Sequence, residues 1–344
     1  MYQQFYGLRE LPFELTPNPK YLFMTRQHRE ALSTLIYGLS SGKGVTALIG
    51  EAGTGKTTLL HAALQSEQCR HVTCVYLVNP TLTRAEFVEL LSVQFGLSAH
   101  AGRSKAALLT ELDAVLRERR ARGHLTALLV DEAQSLSDEI LEEIRLLANS
   151  ETATEKLLSL VLAGQPELRD RLNETGLRQL KQRVTLRCEI KPFTLQDTAA
   201  YIAGRIRTAG GEAAKVFTRE AVTLIHERSG GIPRTISVIC DNALLTGFAL
   251  GRQPVDHGMV LEVARDFDLQ ARPQPAAAAA SPAVQGHSRS PVDGVQPPAV
   301  EESAPDHAAV PTARRPSLDV PVADEPSAFT SSRPRPRFSL FGIR

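Results

Sequence analysis

The chain has 344 residues, of which 42% are hydrophobic, enough to bury one sizeable core or two modest ones. Lys and Arg total 39 against 38 Asp and Glu, a formal net charge of +1, so no global basic excess points to a nucleic-acid binder. Four cysteines (Cys69, Cys74, Cys188 and Cys240) form no Cys-x-x-Cys pair and have no matched histidine spacing, which favours buried thiols in a reducing cytosol over zinc or disulfides.

Residues 1–14 lack the basic start, apolar stretch and small-residue cleavage site of a signal peptide. The longest apolar stretch, residues 157–163 with one serine, is far below the roughly 20 residues that span a bilayer. The expectation is a cytoplasmic chain without a transmembrane segment. Short apolar runs rich in β-branched residues predict strands at 45–49, 72–78, 125–130, 157–163 and 184–190. Between them, helical patterns run over 57–65, 84–95, 105–122, 137–148 and 166–172. Near-continuous apolar strands separated by helices imply an α/β fold, a parallel sheet covered on both faces. From Leu195 the strands stop, and 197–208, 218–228, 233–250 and 255–267 read as a small all-helical domain. Composition then changes: residues 271–344 hold thirteen of the 21 prolines and an alanine run, with almost no aliphatic periodicity. Such a stretch buries too little apolar surface to offset chain entropy and is expected to be disordered. Its last part, residues 333–344, interleaves arginines with Phe338, Leu340, Phe341 and Ile343, which reads as a solvated tail end or, alternatively, as a short docking peptide for a partner protein or an anionic membrane surface. The expected organisation is an α/β nucleotide-binding domain at 1–194, including an N-terminal segment 1–40, a helical lid at 195–268 and a tail at 269–344.

Gly50-Glu-Ala-Gly-Thr-Gly-Lys-Thr57 fits G-x-x-x-x-G-K-[ST], with a strand leading in and a helix leading out. Gly53 and Gly55 let the backbone wrap around phosphates, and the loop through Glu51, Ala52, Thr54 and Thr58 points N–H groups and a helix N-terminus at the anion. Lys56 reaches the β- and γ-phosphates in this pattern, and the Thr57 hydroxyl ligates Mg²⁺. ATP and Mg²⁺ are therefore the expected ligands. The strand 125–130 ends in Asp131 and Glu132, placing both at the carboxyl edge of a parallel sheet. Asp131 is expected to hold Mg²⁺ through water, and Glu132 to orient and deprotonate the attacking water. Gln165, after the strand 157–163, emerges at the same edge as a group for sensing the γ-phosphate or positioning water. Two arginines fit charge stabilisation of a transferring phosphoryl group. Arg183 starts the last strand after a helix over 175–180 and acts from a neighbouring subunit; Arg234, in Gly230-Gly-Ile-Pro-Arg-Thr235, acts from the chain's own lid.

Taken together, Gly50–Thr57, Val130-Asp-Glu-Ala-Gln134, Leu162-Ala-Gly-Gln-Pro-Glu-Leu168, Gln182-Arg183 and Gly230–Arg234 resemble the AAA+ superfamily. Tyr6-Gly-Leu-Arg-Glu-Leu-Pro-Phe13, Thr16-Pro-Asn-Pro19 and His28-Arg-Glu-Ala-Leu32 are similar to the N-terminal signature of the general secretion pathway A-component family and its relatives near exosortase and polysaccharide-export loci. The resemblance covers about residues 1–268. It implies the sensor-1 position for Gln165, the arginine-finger position for Arg183 and the sensor-2 position for Arg234. It also implies a homo-oligomer and a protein partner in an envelope secretion, pilus or exopolysaccharide complex, with the chain cytoplasmic or peripheral at the inner membrane. The family's A-components usually carry a transmembrane helix and a peptidoglycan-binding region after the ATPase, where this chain has its Pro/Ala-rich tail. The alternative is a DNA-associated regulatory ATPase, of the transposition-helper or origin-recognition kind; the balanced charge disfavours nucleic acid. A non-catalytic nucleotide-dependent scaffold is disfavoured because Lys56, Asp131, Glu132 and both arginines are all present.

Overall fold

The computed structural model describes residues 1–16, 18–77 and 82–269. The tail expected at 269–344 lies outside the described residues except for Leu269, as do Val78 of the second strand and Pro17 of the N-terminal signature.

Five strands form one parallel sheet: β1 (Val45–Gly50), β2 (Val72–Leu77), β3 (Leu125–Val130), β4 (Leu158–Gly164) and β5 (Val184–Ile190), in the order β2-β3-β4-β1-β5. The three inner strands are buried along their whole length, which is why they read as near-continuous apolar runs, each broken by one buried hydroxyl residue, Thr46, Thr126 or Ser159. The period of two divides each between the two faces. Leu128 and Val130 of β3 point into a core with α3 (Arg84–Phe95), α4 (Lys105–Ala121), α5 (Asp138–Leu147) and α6 (Pro166–Leu172). Ala127 and Leu129 point the other way, towards α1 (Arg26–Ser40) and α2 (Lys56–Leu64). The outer strand β5 instead exposes Thr185, Arg187 and Glu189.

Side-chain caps set several helix starts. Thr83 with Glu86 forms a capping box before α3, Ser137 caps α5, and Thr194 with Asp197 boxes the start of α8 (Leu195–Thr208). Two expectations change. The helix predicted over 175–180 divides into a 3₁₀ turn, Thr175–Leu177, and α7 (Arg178–Arg183). Arg183 therefore ends a helix instead of opening β5, because the Val184 N–H still donates to Lys181 O. Val255 likewise pairs with Phe217 in a single bridge, and the last helix starts later because Asp256 caps it.

Beyond the sheet, α8, α9 (Ala213–Val216), α10 (Arg219–Ser229), α11 (Pro233–Ala249) and α12 (His257–Asp266) share a separate core. Tyr2, Tyr6, Leu8 and Phe13 belong to that core as well, so the grouping of residues 1–40 with the α/β part divides: α1 packs on the sheet and the aromatic start packs among the later helices. Phe13 meets Phe217 and Phe5 meets Phe248 edge-on, while the Arg9 N–H donates to Ala209 O at 2.8 Å. Arg205 of α8 stacks over Tyr21 and Tyr201 and donates to Pro12 O. Sheet and later helices lie in one compact unit.

Candidate nucleotide site at the carboxyl edge of the sheet

The loop between β1 and α2 turns back on itself around Gly53 and Gly55, with φ of 79° and 98°. A Cβ on Gly53 would come within 2.8 Å of Arg234 Cβ, so this position admits only glycine, both for its dihedral and for the approach of α11. Thr54 is buried and its hydroxyl donates to Glu51 O at 2.8 Å, closing the loop from inside. Lys56 is also buried. Its ammonium donates to Gly50 O at 2.9 Å and Glu51 O at 3.2 Å, curled over the concavity that the loop encloses. Burial pushes the Lys56 ammonium below its usual range, an effect opposed by the charges of Glu132 and Asp131. A buried cation with carbonyl partners and two nearby carboxylates is a ready counter-charge for an anion.

At the end of β3, Asp131 is buried and its carboxylate is fully engaged. Oδ2 accepts from Thr57 Oγ1 at 2.7 Å and from Tyr76 OH at 3.0 Å, while Oδ1 accepts from the Glu132 N–H at 3.0 Å. Burial and the adjacent Asp131 push the Tyr76 phenol well above its ordinary value, so it remains a donor. Glu132 adopts the left-handed region, φ 52° and ψ 37°, which disfavours a residue with a Cβ by about 1–2 kcal/mol. This conformation turns the carboxylate towards β4, where Gln134 Nε2 donates to Oε2 at 2.6 Å and Gln165 Nε2 at 3.3 Å. Gln134 Oε1 in turn accepts the Gln165 N–H at 3.0 Å. Arg171 of α6 donates to Gln134 O at 2.8 Å and to Leu136 O, and it pairs with Asp138, fastening the loop after β3 to the helix after β4.

Of the residues singled out from sequence, Lys56, Thr57, Asp131, Glu132 and Gln165 meet at this edge, and Arg234 lies beside it. Arg234 is the second residue of α11; its N–H donates to Gly53 O at 3.3 Å and its side chain is exposed. The later helices are anchored to the sheet here as well, where the Phe193 N–H donates to Gly231 O at 2.8 Å. Arg183 is elsewhere. It precedes Val184, which lies beside Val45 at the start of β1, so the length of the sheet, roughly 17 Å over five steps of a strand, separates it from the loop. It is half-buried and bears electrostatically on Glu151. Four further residues support the site: Tyr76, Gln134, Arg171 and His28. His28 is buried beneath the loop, with Nε2 donating to Thr54 O at 3.1 Å and Nδ1 paired to Thr25 Oγ1 at 2.6 Å. Burial pushes its imidazole below the ordinary value. Among these, His28 fell within the N-terminal signature and Gln134 closed the motif that begins at Val130, while Tyr76 and Arg171 lay outside any motif.

Among the described residues no group of three or more His, Cys, Asp or Glu is placed to hold a metal. The donor set here is of another kind, one hydroxyl and one carboxylate, hard oxygens suited to Mg²⁺ that keeps water and phosphate oxygens in its remaining positions. The glycine cradle with a helix N-terminus opening from it fits a phosphate chain. No helix of the described residues is long and apolar enough to cross a membrane.

Comparison with known proteins agrees with this architecture. Residues 39–172 match the AAA domain family. General secretion pathway protein A of Aeromonas hydrophila is 43% identical over 258 residues, 75% of this chain and 47% of that protein, so the chain spans about half the length of this relative. A chain of the Drosophila ORC bound to DNA superposes with a TM-score of 0.57 at 20% identity, over 75% of this chain and 65% of that one. The Aeropyrum pernix ORC2 protein superposes with a TM-score of 0.52 at 17% identity, over 76% and 72%. At such identities the last two matches speak to the fold alone. Residues 39–172 thus carry the AAA domain of the AAA+ ATPases, and three quarters of the chain is similar, at 43% identity, to about half of a general secretion pathway A component.

Proposed function

We propose that this chain binds ATP with Mg²⁺ and hydrolyses it, and that the cycle drives a conformational change in the assembly of an envelope secretion, pilus or exopolysaccharide export system. The observation that carries the reading is the convergence of Lys56, the Thr57–Asp131 pair and the Glu132–Gln165 pair at one edge of the sheet.

In this reading the N–H groups of residues 50–58 and the α2 N-terminus cradle the phosphates. Lys56 exchanges its carbonyl partners for β- and γ-phosphate oxygens. Bound Mg²⁺ supplies charge neutralisation on those oxygens, held by Thr57 Oγ1 with Asp131 behind it. Glu132 orients the attacking water and accepts its proton, and Gln165 keeps the carboxylate on the sensor-strand side. Residues 195–268 serve as the lid and bring Arg234 to the phosphates from α11, whose N-terminus already abuts Gly53. Arg183 completes the site of a neighbouring copy, so the active form is a homo-oligomer. The kinship with a secretion A component supports a protein partner in an envelope complex and a working place in the cytoplasm, peripheral to the inner membrane.

Replacing Glu132 tests the chemistry without dismantling the pocket. Glu132→Gln is expected to bind ATP with Mg²⁺ as the unaltered chain does and to lose turnover, measured by calorimetry and phosphate release. Near-normal hydrolysis would move the base elsewhere. Duplex DNA in a filter-binding assay, with and without ATP, separates this reading from a DNA-associated regulatory ATPase, which would retain the duplex in a nucleotide-dependent way.

A further inference from the structure

Three donors hold the Asp131 carboxylate, and one of them comes from outside the sequence motifs. Thr57 and the Glu132 N–H belong to the two nucleotide motifs; Tyr76 reaches in from β2, at the outer edge of the sheet. Its Cα lies opposite Leu129, two residues before Asp131, and its phenol spans the remaining distance to Oδ2. The ring is itself fixed: it meets the His61 ring of α2 edge-on, with centroids 5.5 Å apart and planes inclined by 67°.

We propose that Tyr76 is a positioning residue for the divalent cation, setting how tightly Mg²⁺ is held by fixing the Asp131 carboxylate in advance. The inference rests on the reading of Thr57 and Asp131 as the cation-holding pair. A hydroxyl carries one proton and two lone pairs, so Thr57 can keep donating to Asp131 while presenting a lone pair to the cation. With Thr57 divided between two partners, Oδ2 needs a second donor to keep its orientation. Tyr76 is that donor: its hydroxyl, which also lies beside the Thr57 hydroxyl, donates to Oδ2, and its ring rests against His61 of α2. Removing such an outer partner typically weakens metal binding about 10- to 100-fold.

The test measures binding of a non-hydrolysable ATP analogue to the full chain by calorimetry, in EDTA and across a Mg²⁺ series, for the unaltered protein, Tyr76→Phe and Asp131→Asn. Tyr76→Phe removes one oxygen and keeps the ring on His61, so a cooperative melt close to that of the unaltered protein verifies its fold. The expected result is a Mg²⁺ half-saturation raised on the order of 10-fold in Tyr76→Phe, with affinity in EDTA unchanged. His61→Ala, which frees the ring but leaves the hydroxyl, is expected to shift the half-saturation in the same direction by less. An unchanged Mg²⁺ response in Tyr76→Phe beside an altered one in Asp131→Asn overturns the role of Tyr76 alone. An equal loss of affinity in EDTA and in Mg²⁺ makes Tyr76 a support of the pocket and overturns it too. No change in Asp131→Asn removes the underlying cation assignment.

Discussion

At the carboxyl end of the sheet, side chains from the loop after β1, from β2, from the end of β3 and from the turn after β4 are joined by hydrogen bonds of 2.6–3.3 Å. At the amino end, Arg183 stands half-buried at the close of a six-residue helix and bears electrostatically on Glu151. The contrast is physical before it is functional. The carboxyl end gathers a buried cation held by two carbonyls beside two carboxylates held by hydroxyl, amide and backbone donors, so its polar groups are partnered within the chain. A half-exposed guanidinium, roughly a strand's length away, can instead be solvated.

The largest expected effect breaks the carboxyl end. Lys56→Ala removes the buried counter-charge, and ATP binding measured by calorimetry is expected to fall beyond detection while the melt stays cooperative. Unchanged ATP affinity would dissolve the phosphate assignment of this edge. Next comes the amino end. Arg183→Ala leaves every hydrogen bond of the loop in place, so ATP is expected to bind normally, while turnover drops by about 10³-fold, the low end for an arginine supplied from outside the site. Normal turnover would make Arg183 a structural residue.

The smallest effect sharpens the comparison from beneath the loop. His28→Ala removes the bonds to Thr54 O and Thr25, and destabilisation of about 1–3 kcal/mol is expected from denaturant unfolding. The pH dependence follows from the sign of the shift. The folded chain lowers the His28 pKa, so protonation favours the unfolded state, and stability is expected to fall as pH drops through about 6.5. His226, also lowered by burial, contributes with the same sign, so His28→Ala should flatten part of the slope and leave the rest. A slope identical to that of the unaltered chain would mean that His28 titrates as it does unfolded.

The carboxyl end was largely legible in sequence and the reason is local. β1, β3 and β4 are buried on both faces, so each is a near-continuous apolar run, and the motif residues follow such a run within a few positions. What escaped was long-range or shared by many ordinary residues. Tyr76 sits in an edge strand whose exposure alternates, where an aromatic is ordinary strand material. Gln134 and Arg171 gain their meaning only when the ends of β3 and β4 are brought side by side. No periodicity links Phe5 to Phe248 or Phe13 to Phe217, so the docking of the first thirteen residues into the later helical core left no local trace. The start of β5 was read correctly, and the placement of Arg183 turned on a single hydrogen bond, Val184 N–H to Lys181 O, which keeps it in the preceding helix.

The division between the two ends is tested most directly by mixing two inactive proteins, Arg183→Ala and Glu132→Gln, and following phosphate release. An Arg183→Ala subunit keeps its own Glu132 and receives an intact arginine from a Glu132→Gln neighbour, so mixtures are expected to recover activity that neither variant has alone. The specific activity of the unaltered chain should rise with its concentration in the same assay. Mixtures that stay inactive, together with a specific activity independent of concentration, would contradict a shared site and return Arg183 to a structural role.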